Sequence, residues 1–155
     1  MGDDATGNGP TDADGAPGYD RTRVTDVEPT PDKPGARHEL SAALGMTDYN
    51  YNVAVVDPGD RLSRTGYHAH PDQEEFYHVL DGRCRVETPD GAFVLGPDGC
   101  CRFDPGVAHM LHNPYDAPCR LVAVGAPPDA HHPVRQVSPF EEFLAERYPD
   151  GVPLE

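Results

Sequence analysis

Short apolar segments of strand length, each closed by Gly, Pro or Asp, mark this chain as an all-β protein with an antiparallel sandwich or barrel. Two further observations agree. Strands do not alternate with long helical patterns, which excludes a doubly wound α/β sheet, and 155 residues suit one domain with tails.

The elements follow in chain order. Residues 1–36 are rich in Gly, Pro, Asp and Thr, lack apolar periodicity, and read as a disordered or loosely attached acidic arm. Residues 38–44 suit a short amphipathic helical turn ended by Gly45. Strand-like segments then cover residues 49–56, 64–70, 75–80, 83–88, 92–95, 100–103, 108–112 and 119–124. Between them stand Asp57-Pro58-Gly59-Asp60, Asp81-Gly82, Pro89-Asp90-Gly91, Gly96-Pro97-Asp98-Gly99 and Asp104-Pro105-Gly106, each a turn sequence. A Pro-rich exit follows Gly125. Ser138-Pro139-Phe140-Glu141-Glu142 then predicts a helix to Tyr148 with Ser138 as its cap, packing Phe140, Phe143 and Leu144 on the outside of the barrel. The expected organisation is an arm (1–36), a barrel (37–137), and a helix with tail (138–155).

Lys plus Arg is 12 against Asp plus Glu 27, a net charge of −15. A phosphate backbone or an anionic membrane repels such a surface, so neither nucleic acid nor membrane is an expected partner. The acid excess with a single lysine, Lys33, fits a halophilic source, in which salt screens self-repulsion. The start of the chain has no basic, apolar leader, and the expected location is cytoplasmic. Cys84, Cys100, Cys101 and Cys119 lack C-x-x-C spacing and read as reduced thiols, with Cys101 rather than Cys100 facing the core beside Phe103.

The chemistry concentrates at His68-Ala69-His70, whose imidazoles at i and i+2 share one face of a strand. Glu75 opens the next strand, and His109 lies on a later one. Three neutral imidazoles and a carboxylate suit a divalent first-row metal and leave positions for water or substrate. The alternative is a hydrogen-bonded polar core without metal, which requires every inward group to find a partner. Tyr77 and Val79 share strand parity with Glu75 and face the cavity, whereas His78 and His112 have the wrong parity for ligation. His131 and His132 fall in the exit loop and read as solvated. Gln73 is either an exposed loop amide or a contact for substrate or a metal-bound water.

His68-x-His70-x4-Glu75-x6-Gly82 and Gly106-x2-His109-x3-Asn113 resemble the two motifs of the cupin superfamily over about half the chain, residues 49–124. The glycine that opens the first motif falls on Leu62, and the proline of the second is displaced to Pro105. The resemblance implies a cupin-type antiparallel jelly-roll β-barrel holding one divalent transition ion (Fe, Mn, Zn, Ni or Co) on His68, His70, Glu75 and His109, and a homodimer. It leaves several activities open, among them dioxygenase, isomerase, decarboxylase and lyase chemistry, and non-catalytic binding or sensing of a small ligand. The expectation adopted is a metal-dependent enzyme acting on a small oxygen-rich molecule, with Glu75 able to leave the metal and take a proton.

Overall fold

Chain reversals at the Gly, Pro and Asp turns produce strands too short to span more than one face of a small barrel. The computed structural model describes residues 18–155. Its strands are β1 (Ala36–Glu39), β2 (Asn50–Val56), β3 (Tyr67–Ala69), β4 (Glu74–Asp81), β5 (Cys84–Thr88), β6 (Gly91–Leu95), β7 (Cys100–Phe103), β8 (Met110–His112), β9 (Cys119–Ala126) and β10 (Arg135–Ser138). The helices are α1 (Leu40–Leu44) and α2 (Phe140–Arg147). All ladders are antiparallel: a five-stranded sheet β1-β2-β9-β4-β7, a three-stranded sheet β6-β5-β8, and the pair β10-β3. This is an antiparallel jelly-roll barrel.

Its core is made by alternation. In β4, Glu75, Tyr77 and Val79 are buried while Glu74 and Phe76 face solvent, the period-2 pattern of a strand with one face in a core. Val79, Val56 and Leu121 of the larger sheet meet Val86, Leu95 and Leu111 of the smaller one in a single apolar cluster. Burying each such side chain contributes about 1.5–3 kcal/mol. The β4–β5 reversal needs Gly82: its φ is +76°, and a Cβ there would stand 2.2 Å from the carbonyl oxygen of Pro118.

Both ends of the barrel depart from the sequence reading. The helical turn predicted over residues 38–44 starts later, because His38 and Glu39 pair with Val53 and Asn52 as part of β1; only Leu40–Leu44 is helical, closed by Gly45 at φ 68°. The exit contains a strand the sequence reading lacked, β10, paired with β3 through Arg135, Gln136 and Ser138. Ser138 therefore ends a strand and does not cap α2; Pro139 holds the cap position, and its carbonyl accepts from the Phe143 N–H. Phe140 and Phe143 pack as expected, against Tyr67 and Met110, with Leu144 at the edge. Of the predicted arm, residues 1–17 lie outside the described residues. Residues 18–35 include a 3-10 turn at Val24–Asp26 and are tied to β1 where the Thr30 N–H donates to the Arg37 carbonyl and His38 Nδ1 to that of Val27.

Cys101 packs against the main core and Cys100 is exposed, as strand parity requires; Cys84 and Cys119 are buried free thiols. Glu87 and His112 pair within a second buried polar cluster that joins α2 to the small sheet. No helix among the described residues is long and apolar enough to cross a membrane.

Candidate metal centre

The centre begins with a backbone exchange. His68 and His109 lie opposite each other, each N–H donating to the other's carbonyl (3.2 and 2.9 Å). Directly opposed antiparallel residues bring their side chains to one face at close range. The imidazole centroids are accordingly 5.0 Å apart. Glu75 reaches the same space from β4 in the five-stranded sheet, opposite Phe103, whose ring stacks on His109 at 4.1 Å. The ligand-capable atoms of His68, Glu75 and His109 all lie within 4.8 Å of one another, and the three residues are buried. His70 stands at the edge of this group, its Nε2 2.9 Å from Glu75 Oε1.

Hydrogen bonds to the far ring nitrogens orient all three imidazoles. Nδ1 of His68 donates to Gly66 O (2.8 Å), Nδ1 of His70 to His131 O (2.9 Å), and Nδ1 of His109 to Val107 O (3.0 Å). A carbonyl can only accept, so each neutral ring carries its proton on Nδ1 and turns the Nε2 lone pair inward, as in histidines that ligate metals. Nε2 of His109 and Nε2 of His70 then face the Glu75 carboxylate at 3.2 and 2.9 Å, lone pair against lone pair. A proton on the rings or on the carboxylate, or a cation between them, relieves that repulsion. Glu75 Oε1 is buried and accepts no well-aligned hydrogen bond, since His70 Nε2 is near it but off the required direction. The donor set of imidazole nitrogen and carboxylate oxygen thus fits a divalent transition ion.

The electrostatics follow from burial and proximity. Burial pushes the Glu75 carboxyl up, but whenever His109 and His70 also carry a proton on Nε2, their donated hydrogen bonds and positive charge more than reverse this and hold it well below the usual carboxylate range. His68 is pushed down to about 4 by burial and by His109 beside it. His70 is also lowered by burial, yet its contact with Glu75 leaves it raised. Tyr77 donates a short hydrogen bond to Glu75 Oε2 and lies 3.1 Å from His109 Nε2. Burial and the adjacent carboxylate push its phenol well above its ordinary value, so the side chain stays neutral.

Several predicted residues change role. His131 is not a solvated loop residue: its carbonyl holds His70, its ring packs 4.8 Å from the His70 ring, and it lines the chamber. Gln73 is buried, donates to Pro127 O at 3.0 Å, and also lines the chamber. Its place depends on Gly125, where an added Cβ would stand 2.7 Å from the Gln73 side chain. His112, by contrast, stays out of the centre as its parity predicts and is structural, with Nε2 2.8 Å from Glu87. Arg37, Asn50 and Asn52, which the sequence reading did not select, line the chamber from β1 and β2. Asn50 and Asn52 share strand parity with the core residues Ala54 and Val56, which was readable, but their distance from the histidine motif hid them.

Residues 52–125 match the family model for the cupin domain. The chain belongs to the cupin superfamily. This cupin is 32% identical over 107 residues to Polyketide synthase CurC of Streptomyces cyaneus, a match covering 66% of this chain and 68% of that protein. Among solved structures it resembles the polyketide cyclase RemF from Streptomyces resistomycificus, with a TM-score of 0.70 and 23% identity over 83% of this chain and 95% of that one. It also resembles a cupin-superfamily sugar phosphate isomerase from Silicibacter pomeroyi, with a TM-score of 0.56 and 28% identity. That match covers 59% of this chain and 58% of the isomerase, less than two thirds of its length.

Proposed function

We propose that this cupin is a metal-dependent enzyme that moves a proton next to a carbonyl of a small oxygen-rich molecule, with His68, His70, Glu75 and His109 holding one divalent transition ion. The observation that carries the reading is the convergence of three Nδ1-anchored imidazoles on a buried carboxylate with an oxygen left unpartnered. A bound ion supplies Lewis acidity to substrate oxygens. Tyr77 adds an acid beyond the ligand set. Its neutral hydroxyl, aimed by Glu75, can give a proton to an enolate oxygen or carbon, while the ionised Glu75 accepts one. Leu62 and Leu111 line the chamber and Phe103 backs the His109 ring, which limits water around these groups and strengthens the exchanges.

Proton transfer beside a carbonyl is the step shared by isomerisation of hydroxycarbonyl compounds and by aldol-type ring closure. The names of the relatives, a sugar phosphate isomerase and a polyketide cyclase, support that class. A barrel that only binds its ligand has no use for a buried acid outside its ligands, and Tyr77 therefore favours turnover over sensing. A homodimer is the proposed assembly, and a monomer mass by light scattering would remove it.

The test begins with metal content per chain by mass spectrometry on protein purified without added metal. It continues with deuterium uptake from heavy water into sugar phosphates and β-dicarbonyl compounds. Near-stoichiometric metal and uptake that Tyr77→Phe lowers by about 100-fold, with metal retained, are expected. Uptake that is equal in metal-loaded, metal-stripped and Tyr77→Phe protein would overturn the proposal.

A further inference from the structure

We propose that the mouth of this chamber is an anion-binding subsite, built by Lys33, Arg37 and Arg64, that selects molecules carrying a carboxylate or phosphate group. Calling the bound molecule a substrate rests on the function proposed above; the subsite itself does not.

The argument starts from charge distribution. In a chain of net charge −15, the only lysine and two arginines line one cavity together with His131 and His132. No aspartate or glutamate lines it. That cavity shares Arg37, Leu62, His70 and His131 with the inner chamber, so a molecule entering the chamber passes these cations. Elsewhere, Arg61, Arg85, Arg102 and Arg147 each stand in an ion pair. Among the described residues, Lys33, Arg37 and Arg64 have none; neither have Arg23, Arg83, Arg120 and Arg135, but none of those four lines the cavity.

Arg37 is the pivot of the arrangement. One of its terminal nitrogens donates to Leu62 O at 2.9 Å, which fixes the guanidinium, while its Nε is buried without any hydrogen-bond partner. A buried charged donor left unpaired is costly, and a planar guanidinium matches carboxylate and phosphate oxygens in pairs. Lys33 feels the crowding: burial and repulsion from Arg37 and Arg64 draw its ammonium below the ordinary value. Glu39 is the one carboxylate that opposes this, and it accepts a hydrogen bond from the Thr30 hydroxyl. Three like charges held together, with a single carboxylate near them and none lining the cavity, are relieved by an anion. A positive mouth on an acidic protein also concentrates anionic ligands against the overall field.

Titration of metal-stripped protein with inorganic phosphate and with malonate, followed by NMR shifts of the Arg and Lys side chains at low salt, tests the subsite. Glycerol serves as the neutral control. Saturable shifts at Arg37, Arg64 and Lys33 are expected, with affinity falling about tenfold in Arg64→Gln and in Lys33→Gln and further in Arg37→Gln. Arg64 is exposed, so its replacement leaves folding intact. Arg120→Gln, on an exposed position of β9, should bind as the wild type does. Anion binding no stronger than glycerol binding, or equal in wild type, Arg64→Gln and Lys33→Gln, would overturn the proposal. Because the protein is stripped of metal, a subsite that binds anions survives a failure of the catalytic reading. A protein that loads metal and catalyses exchange yet ignores anions loses only the subsite.

Discussion

Glu75 and Glu87 are both carboxylates buried in the barrel wall, and the molecule treats them in opposite ways. Glu87 is fully paired: Oε2 meets His112 Nε2 at 2.8 Å and Arg85 Nε at 3.1 Å, while Oε1 accepts from Tyr148 at 2.6 Å and lies 3.4 Å from Arg147. Glu75 has one oxygen bonded to Tyr77 and the other without a well-placed donor, between imidazoles that present lone pairs. A satisfied buried charge holds elements together, here α2 onto the small sheet. An unsatisfied one faces a chamber and is set up for a ligand. The difference separates a structural cluster from a functional one without reference to any relative.

The contrast breaks most sharply at the ligands. Glu75→Gln should bring metal content to background after dialysis, measured by mass spectrometry, with folding of the metal-stripped protein preserved. Glu87→Gln should do the reverse, costing about 3 kcal/mol in urea denaturation because it removes the buried carboxylate that Arg85, Arg147, His112 and Tyr148 share and leaves the arginine charges uncompensated, while metal content is unchanged.

Acid sharpens the same contrast. His112 and Tyr148 hold the Glu87 carboxyl below its ordinary value, against burial, which pushes it up. A carboxylate depressed in the folded state contributes stability above its unfolded value of about 4.3, and that contribution is lost as pH falls through the folded value. Wild-type stability should therefore fall below about pH 4.3, and the fall should be shallower in Glu87→Gln, as thermal melts across that range will read.

His70→Ala should weaken metal binding by about tenfold or more in a chelator competition. The smallest effect belongs to His78→Ala. His78 is on the outward face of β4, and its replacement should change neither metal affinity nor stability beyond about 0.5 kcal/mol. Equal losses of metal in the two histidine variants would mean that β4 is in the wrong register.

Strand parity explains which parts of the site were readable in advance. His68 and His70 follow from alternation along one strand and Tyr77 from its parity with Glu75, and alternation survives any error in where a strand begins; His109 was legible through the second motif. The backbone exchange between His68 and His109 joins segments far apart in sequence, and nothing local announces it. His131 was misread because its contribution is a carbonyl, which every residue possesses. Lys33 and Arg37 lie in a stretch with no periodicity; the β1–β2 pairing sets Arg37 opposite Ala54, and Lys33 stands three residues before that strand. At the exit, four residues of β10 interrupted by a bulge carry too little pattern to distinguish a strand from a loop.

Glu75 belongs to the five-stranded sheet, whereas His68 and His109 meet on the opposite wall of the barrel. An ion shared by these residues would act as a rivet through both walls, clamping them at a point where the native contacts include no covalent bond. Its loss would then register far from the chamber: backbone amides of β3 and of β4 would exchange with solvent faster and in concert, like two boards freed by the same screw.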